Sequence, residues 1–196
     1  MKSTTKKFLT APIIGITVLL FTGCGNSNQQ NQATQNSQSR VIDNTEFTVT
    51  IPKEWDVIDP KNFTSDVPPE TQLDIRNNVK NEDFTANVNI IRRNLQNTQS
   101  TLDYAKAVIN RQKSGLLNYK EDKNETSKMT IGNSQVDDYV ETFEGKKDAQ
   151  SDLIIFYQTY AVKGNFAYII TGSYSPKETG DNINAVQSIV KSFALK

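Results

Sequence analysis

The chain has 196 residues, and its 22 Lys and Arg residues balance its 22 Asp and Glu residues. It contains no His and a single cysteine, Cys24. The balanced charge gives no indication of nucleic-acid binding. The missing His excludes Ser–His and Cys–His catalysis and His-based zinc sites, so we predict neither a cofactor nor a metal site.

The first 23 residues have the pattern of a secretory signal. Three lysines precede an apolar stretch from Phe8 to Phe21, and the small residues Thr22 and Gly23 follow it. The apolar stretch is shorter than the ~20 residues that span a bilayer. This length argues against the alternative of a permanent membrane helix.

The run Leu20-Phe21-Thr22-Gly23-Cys24 resembles the lipobox of bacterial lipoproteins. In that family, the cysteine thiol receives diacylglycerol and a peptidase cleaves the chain just before it. The resemblance implies that residues 1–23 are a signal peptide and that Cys24 is the lipid attachment site, with fatty acids such as palmitate in the anchor. It also implies a location on the extracytoplasmic face of the cell membrane.

Residues 25–39 carry no charge and are mostly Asn and Gln. Such a tract has too little apolar surface to offset the entropy of ordering, so it predicts a disordered tether. We therefore divide the chain into a signal peptide (1–23), a lipidated cysteine with its tether (24–40) and one domain (41–196).

The domain opens with strand patterns. Phe47–Ile51 alternates apolar and polar residues, and Trp55–Ile58 predicts a second short strand. Residues 59–70 contain three prolines and predict an irregular loop. Leu73–Arg76 and Phe84–Ile90 predict two further strands.

A helix follows these strands. Ser100 and Asp103 form a capping-box pattern at its start, and apolar residues then recur at helical spacing for about four turns. We expect Gly115 to end the helix in a left-handed conformation. The pairs Gly132-Asn133 and Gly164-Asn165 predict hairpin turns between later strands.

Two strand-like runs, Leu153–Val162 and Phe166–Ile170, are apolar on both faces. A sheet containing such strands needs a covering layer on each side. The first helix can supply one layer and a C-terminal helix, capped by Asp181 or Asn182, the other. The predicted fold class is α+β, an antiparallel sheet of about six to seven strands sandwiched between helices.

The order of these elements resembles the PsbP-like lipoproteins. The resemblance rests on an opening strand into Ile51-Pro52 and Trp55, a capped helix at Ser100, a long meander and the closing run Ile189–Phe193. This family shares its fold with PsbP of photosystem II and with a Ran-binding nuclear import factor. The resemblance implies a helix–sheet–helix domain over residues 41–196 that binds another protein or assists an assembly, and it does not imply catalysis.

The sequence offers no catalytic pair. Asp137 and Asp138 would point to opposite faces of a strand, and Asp137 and Glu141 would lie ~13 Å apart along it. Ser188 and Lys191 match the Ser-x-x-Lys pattern of penicillin-recognising enzymes, but the companion motifs of that family are missing. We favour solvated surface charges as the interpretation of the acidic residues and a chance match as the interpretation of the Ser-x-x-Lys pattern.

Two surface features remain. Arg76, Arg92 and Arg93 predict either a small basic patch for an anionic partner or solvated strand residues. Trp55 and Phe63, which lie with Pro68 and Pro69 in the long loop after the first strand, are candidate partner-binding residues, although a position in the core is the favoured alternative for Trp55.

We therefore predict a membrane-anchored extracytoplasmic lipoprotein that is a non-catalytic protein-binding or accessory domain. Its expected partners are membrane lipid through Cys24 and an envelope protein, with no nucleic acid. The alternative is a small extracytoplasmic enzyme that uses carboxylate or Ser/Lys chemistry. A transport receptor also fits the anchor, but a single domain leaves no second lobe to close on a solute.

Overall fold

The computed structural model describes residues 39–65, 67–80, 84–124, 127–129 and 138–196. Residues 1–38, which include the predicted signal peptide, Cys24 and most of the predicted tether, lie outside this part of the chain. The predicted turn at Gly132-Asn133 and the side chains of Asp137 and Asp138 also lie outside the described residues.

Both ends of the domain meet in a small antiparallel sheet. In this sheet β1 (Ser39–Asp43) pairs with β2 (Phe47–Pro52), which also pairs with β11 (Ala194–Leu195). β1 begins before the expected domain start at residue 41, since Ser39 and Arg40 pair with Pro52 and Ile51 of β2. Arg40 Nη2 also donates a hydrogen bond to the Trp55 carbonyl oxygen at 2.9 Å.

The remaining elements form one large sheet and two helices. They are β3 (Trp55–Val57), a 3₁₀ turn (Pro60–Asn62), β4 (Thr71–Asn77), β5 (Asn87–Asn94), α1 (Thr101–Gly115), β6 (Leu117–Glu121), β7 (Ser127–Met129), β8 (Asp138–Lys146), β9 (Ile154–Lys163), β10 (Phe166–Tyr174) and α2 (Gly180–Lys191). Within the described residues the large sheet is antiparallel, in the order β3-β4-β5-β10-β9-β8-β6, with β7 paired to β8. The predicted α+β class is confirmed.

α1 begins as the sequence predicts. The Ser100 hydroxyl accepts a hydrogen bond from Asp103 N at 3.1 Å and donates one to Asp103 Oδ2 at 2.7 Å. The prediction for the end of the helix is wrong, because Gly115 does not take a positive φ. Leu116 follows at φ −95°, since the chain passes directly into the extended β6.

α2 begins earlier than the sequence predicts. Thr179 caps it, accepting a hydrogen bond at Oγ1 from Asn182 N at 3.4 Å. Asp181 and Asn182 therefore lie in the first turn and are not the cap. A carboxylate in this turn still stabilises the helix through its interaction with the helix dipole.

α2 and the small sheet cover one face of the large sheet. The core on this side contains Trp55, Ile75, Ile170, Val186 and Ile189, among other apolar residues. Gly172 on β10 allows close packing, because a Cβ atom there would lie 2.2 Å from Val186 Cγ1.

α1 covers part of the opposite face. Tyr104, Ala105, Val108 and Ile109 of the helix pack on residues that include Ile169 of the sheet. The two covering layers agree with the prediction from doubly apolar strands. Gly164, at φ +59°, forms the predicted turn between β9 and β10, a conformation that glycine adopts without steric cost.

Candidate functional site

A row of polar side chains crosses five neighbouring strands on the α1 face of the large sheet. Asp74 faces Asn89, Asn89 faces Thr171, Thr171 faces Gln158, and Gln158 faces Glu141. We call these five residues the polar row. All except Asn89 are buried. Burying polar groups costs free energy unless they are hydrogen-bonded, so apolar packing alone does not account for the row.

Glu141 occupies the β8 end of the polar row and has no exposed surface. Its Oε1 accepts a hydrogen bond from the Tyr119 hydroxyl, and its Oε2 lies 3.1 Å from the Tyr160 hydroxyl oxygen. Burial raises the pKa of the Glu141 carboxyl above its ordinary value, and the contacts with the two tyrosines oppose this rise. Burial likewise raises the pKa of both tyrosines, so their hydroxyls stay protonated.

Gln158 links the middle of the row to α1. Its Nε2 donates a hydrogen bond to Thr171 Oγ1 at 2.6 Å. Its Oε1 accepts one from Gln112 Nε2 of α1 at 2.7 Å and lies 2.6 Å from the Tyr160 hydroxyl oxygen. The last turns of the helix are therefore held to the row by polar contacts.

Asp74 occupies the β4 end of the row, where 3% of its surface is exposed. Arg76 lies beside it, with Nε at 3.0 Å and Nη2 at 2.9 Å from Asp74 Oδ2. Burial raises the pKa of the Asp74 carboxyl, and the Arg76 charge opposes the rise. The ion pair thus compensates for a carboxylate that has been removed from water.

An open cleft of about 640 Å³ lies over the polar row. We call it the α1 cleft. Its lining residues come from the sheet, the end of α1, the proline-rich loop and the segment before β5: Thr64, Val67, Pro68, Asp74, Arg76, Phe84, Thr85, Asn87, Asn89, Ile91, Gln112, Leu116, Phe143, Phe156, Gln158, Thr171 and Ser173. Two amide oxygens of this lining, Asn89 Oδ1 and Gln112 Oε1, are buried and have no hydrogen-bond partner among the described residues.

The arrangement does not suit paired carboxylate chemistry. Asp74 and Glu141 lie at opposite ends of five strands, ~19 Å apart at the usual strand spacing. Glycosidase carboxylate pairs lie only ~5–10 Å apart. Among the residues that the structure describes, no three Asp, Glu, Cys or His side chains are grouped closely enough to hold a metal ion.

Solved structures identify the fold. LpqN of Mycobacterium tuberculosis, a protein involved in cell envelope biogenesis, superimposes with a TM-score of 0.57 at 13% identity, over 81% of this chain and 91% of LpqN. PsbP of the cyanobacterium Synechocystis gives a TM-score of 0.55 at 12% identity, over 81% of this chain and 93% of its own. The chain has the PsbP-like fold.

The yeast Ran-binding protein Mog1p shares this PsbP-like fold, with a TM-score of 0.51 at 10% identity, over 80% of this chain and 95% of Mog1p. No protein-family model matches the chain, and no curated protein matches it by sequence. The resemblance to the PsbP-like fold, inferred from the order of elements, is confirmed at the level of fold.

The structure separates the two aromatic residues predicted to bind a partner. Trp55 is 2% exposed and packs in the core on the α2 side of the PsbP-like sheet, so it offers a partner no surface in this conformation. Phe63 directly follows the 3₁₀ turn and is half-buried. It belongs to the loop whose residues Thr64, Val67 and Pro68 line the α1 cleft.

The three arginines of the predicted basic patch do not lie together. Arg76 pairs with Asp74 in the α1 cleft. Arg92 Nη1 lies 3.0 Å from Glu46 Oε1, and the Arg92 guanidinium lies over the ring of Phe166. Its neighbour Arg93 points to the other face of β5, because successive side chains of a strand alternate between faces. The prediction of one shared patch is wrong for this reason.

Sequence reasoning missed the polar row. Glu141 sits between Val140 and Phe143, and Gln158 lies inside a run that otherwise reads as apolar on both faces. An acidic residue and an amide within strongly apolar strands were the available signal.

Among the described residues, no helix has the length and apolar character needed to cross a membrane.

Proposed function

We propose that the protein is a lipid-anchored accessory domain of the cell envelope that binds a partner protein in the α1 cleft and catalyses no reaction. The polar row beneath this open cleft carries the proposal. α1 covers only part of its face of the sheet, and the α1 cleft borders four members of the row, Asp74, Asn89, Gln158 and Thr171.

The chemistry of the cleft favours a peptide segment as its occupant. Asn89 Oδ1 and Gln112 Oε1 are hydrogen-bond acceptors without partners among the described residues. A backbone or side-chain N–H of a partner could donate a hydrogen bond to each of them. A buried acceptor without a hydrogen bond costs ~1–3 kcal/mol. Phe84 and Phe156 in the lining can cover apolar side chains of the same segment.

The anchor proposal rests on the lipobox resemblance at Cys24. A diacylglycerol carries two acyl chains, and each buried methylene contributes ~0.8 kcal/mol, which suffices for stable attachment. The similarity in fold to LpqN, which is involved in cell envelope biogenesis, supports a place in the envelope.

The absence of catalysis is proposed from the residue types and their positions. Glu141 and Asp74 are the groups that favour the enzyme alternative, since carboxyl groups with perturbed pKa values cluster at active sites. Glu141, however, is fully buried against two tyrosines and does not line the cleft. Asp74 is the only carboxylate among the described residues that line the cleft, and it is paired with Arg76, so no carboxylate pair flanks a substrate there.

Site-specific photocrosslinking in intact cells tests the partner site. A photoreactive residue at Thr64, an exposed residue that lines the cleft, should give a discrete protein adduct. The same residue at the exposed Lys147 in the β8–β9 turn is the control and should not give it. The substitution Asn89→Leu keeps the side-chain size and removes the acceptor, so it should abolish the Thr64 adduct. An adduct that persists in Asn89→Leu, or the lack of any adduct, would reject the cleft as the partner site.

Metabolic labelling with a fatty acid tests the anchor separately. The wild-type chain should incorporate the label, and Cys24→Ala should not, because the variant has no thiol left to acylate. Label in the Cys24→Ala chain would contradict the anchor and leave the partner site to be judged by crosslinking.

A further inference from the structure

Another cavity, of about 430 Å³, lies beside α1, between the helix and the end of β5. Arg93 at the end of β5 lines it, together with Tyr104, Ala107 and Arg111 of α1. Tyr104 and Arg111 are seven residues apart and so share one face of the helix, with the short side chain of Ala107 between them. Neither the polar row nor the α1 cleft uses these residues.

We propose that this cavity is a binding site for a phosphate group, held by the Arg93 and Arg111 guanidinium groups and the Tyr104 hydroxyl. The site is independent of the partner-binding function proposed for the α1 cleft.

The first reason is that its donors lack partners. Tyr104 is 4% exposed, and its hydroxyl is buried with no hydrogen-bond partner among the described residues. Arg93 Nε is also buried and has no hydrogen-bond partner in the described part of the chain. Buried donors are nearly always paired in folded proteins, so two of them at one cavity indicate a ligand that accepts hydrogen bonds.

The second reason is the sign of the charge. The Arg93–Glu70 pair is long, with 3.8 Å between Arg93 Nε and Glu70 Oε1, and this exceeds hydrogen-bond distance. Arg111 makes no ion pair with any residue that the structure describes. Glu70 offsets one of the two guanidinium charges, and the other leaves the cavity with an excess of positive charge.

The third reason is the state of the phenol. Burial raises the pKa of Tyr104, although Arg93 and Arg111 oppose the rise. The hydroxyl therefore remains a hydrogen-bond donor. An anion would meet donors from three side chains on two elements, β5 and α1.

The arginines favour phosphate over other anions. Guanidinium groups bind phosphate oxygens through paired, charge-assisted hydrogen bonds, and two of them can neutralise a dianion. The cavity volume falls within the ~300–1,000 Å³ range of small-molecule sites, so it has room for a phosphate with a substituent. The phosphate could belong to a free phosphate or to the headgroup of an anionic lipid.

Thermal unfolding of the full chain in detergent tests the site, with inorganic phosphate and with glycerophosphoglycerol, the water-soluble headgroup of phosphatidylglycerol. A ligand that binds only the folded state raises the melting temperature with concentration. We expect such a rise over chloride at equal ionic strength. A greater response to inorganic phosphate identifies free phosphate as the source, and a greater response to the headgroup identifies the lipid.

Three variants assign the binding to the cavity. Tyr104→Phe removes only the hydroxyl, and Arg111→Gln removes one exposed charge. Each should weaken phosphate binding by about tenfold or more, as expected for loss of a charge-assisted or buried hydrogen bond. Ala107→Leu should fill the space between them and abolish binding, at an exposed helix position that tolerates leucine.

Lys106→Gln is the matched control, because it removes a positive charge from the same helix outside the cavity. It should bind phosphate like the wild type. The proposal is overturned if neither probe raises the melting temperature of the wild type, if Ala107→Leu binds as the wild type does, or if Lys106→Gln loses as much affinity as Arg111→Gln.

Discussion

The Tyr160 hydroxyl oxygen lies 3.1 Å from Glu141 Oε2, and both side chains are fully buried. The same hydroxyl lies 2.6 Å from Gln158 Oε1. A phenol has one proton, so it can donate to only one of these two acceptors. A proton on Glu141 resolves the conflict, since Glu141 then donates to Tyr160 and Tyr160 donates to Gln158. The geometry and the raised pKa of Glu141 both favour a neutral carboxyl.

Substituting Glu141→Gln should change how stability depends on pH. The folded-state pKa of Glu141 is raised above its ordinary value of 4.5, so the folded state binds more protons than the unfolded chain between these two values. The stability that Glu141 contributes is therefore complete below the ordinary pKa and is lost as pH rises through the folded pKa. Glutamine cannot titrate, so the variant should gain stability relative to the wild type as pH rises.

Urea unfolding measured from about pH 4 to pH 8 checks this expectation. Glu144→Gln on the same strand is the control, because Glu144 is paired with Lys120 and partly exposed. The variant should not show the gain in stability with rising pH that is expected of Glu141→Gln, because the Glu144 side chain is not buried. A stability difference for Glu141→Gln that stays constant or falls with rising pH would show that Glu141 is ionised in the folded protein.

Adding one methyl group at Gly172 should destabilise the fold. A Cβ atom there would lie 2.2 Å from Val186 Cγ1, so α2 must move away from the sheet. Overpacking of this kind costs ~1–3 kcal/mol, occasionally more. Gly180→Ala is the control, because nothing lies within 4 Å of a Cβ at the first residue of α2. Urea melts in which both variants match the wild type would contradict the close packing of α2.

Two isoleucines on opposite faces of the sheet should differ in their contribution to stability. Ile169 is 4% exposed and packs against α1, whereas Ile155 is only partly buried beside the α2-side core. Ile169→Ala should cost ~2–5 kcal/mol through the cavity that it leaves. Ile155→Ala should cost less, since water can reach part of its site. Equal losses in free energy of unfolding would contradict this difference in burial.

Local signals in the sequence predicted much of the fold. The Ser100–Asp103 cap and the Gly164 turn depend on neighbouring residues, and both are present. Gly115 and Thr179 show that local signals do not predict the exact ends of a helix, because these ends depend on how the chain leaves and enters the sheet. The PsbP-like arrangement was predictable from the order of elements.

The polar row could not be predicted in the same way. Its members come from five strands that are separated along the sequence, and their alignment depends on the register of four strand pairs. A shift of one residue in any pair would move a side chain to the other face. The cavity at Arg93 likewise depends on how the end of β5 meets α1.

The ion pair at the β4 end of the polar row should respond asymmetrically to the loss of each partner. Arg76→Gln leaves the Asp74 carboxylate, 3% exposed, without its counter-charge. Removing one partner of a fully buried pair costs ~3–5 kcal/mol, and the loss should be smaller here because about a third of the Arg76 side chain is exposed. Asp74→Asn should cost less than Arg76→Gln, since the arginine can turn toward solvent.

A double-mutant cycle separates these effects. The variant that carries both Asp74→Asn and Arg76→Gln should be about as stable as Asp74→Asn alone, because no buried charge remains to be compensated. Free energies of unfolding from urea melts at pH 7 give the coupling energy directly. If the two single losses simply add in the double variant, the arginine does not compensate the buried carboxylate. That result would mean that the buried Asp74 carboxylate is stable without a counter-charge, contrary to the cost expected from its burial.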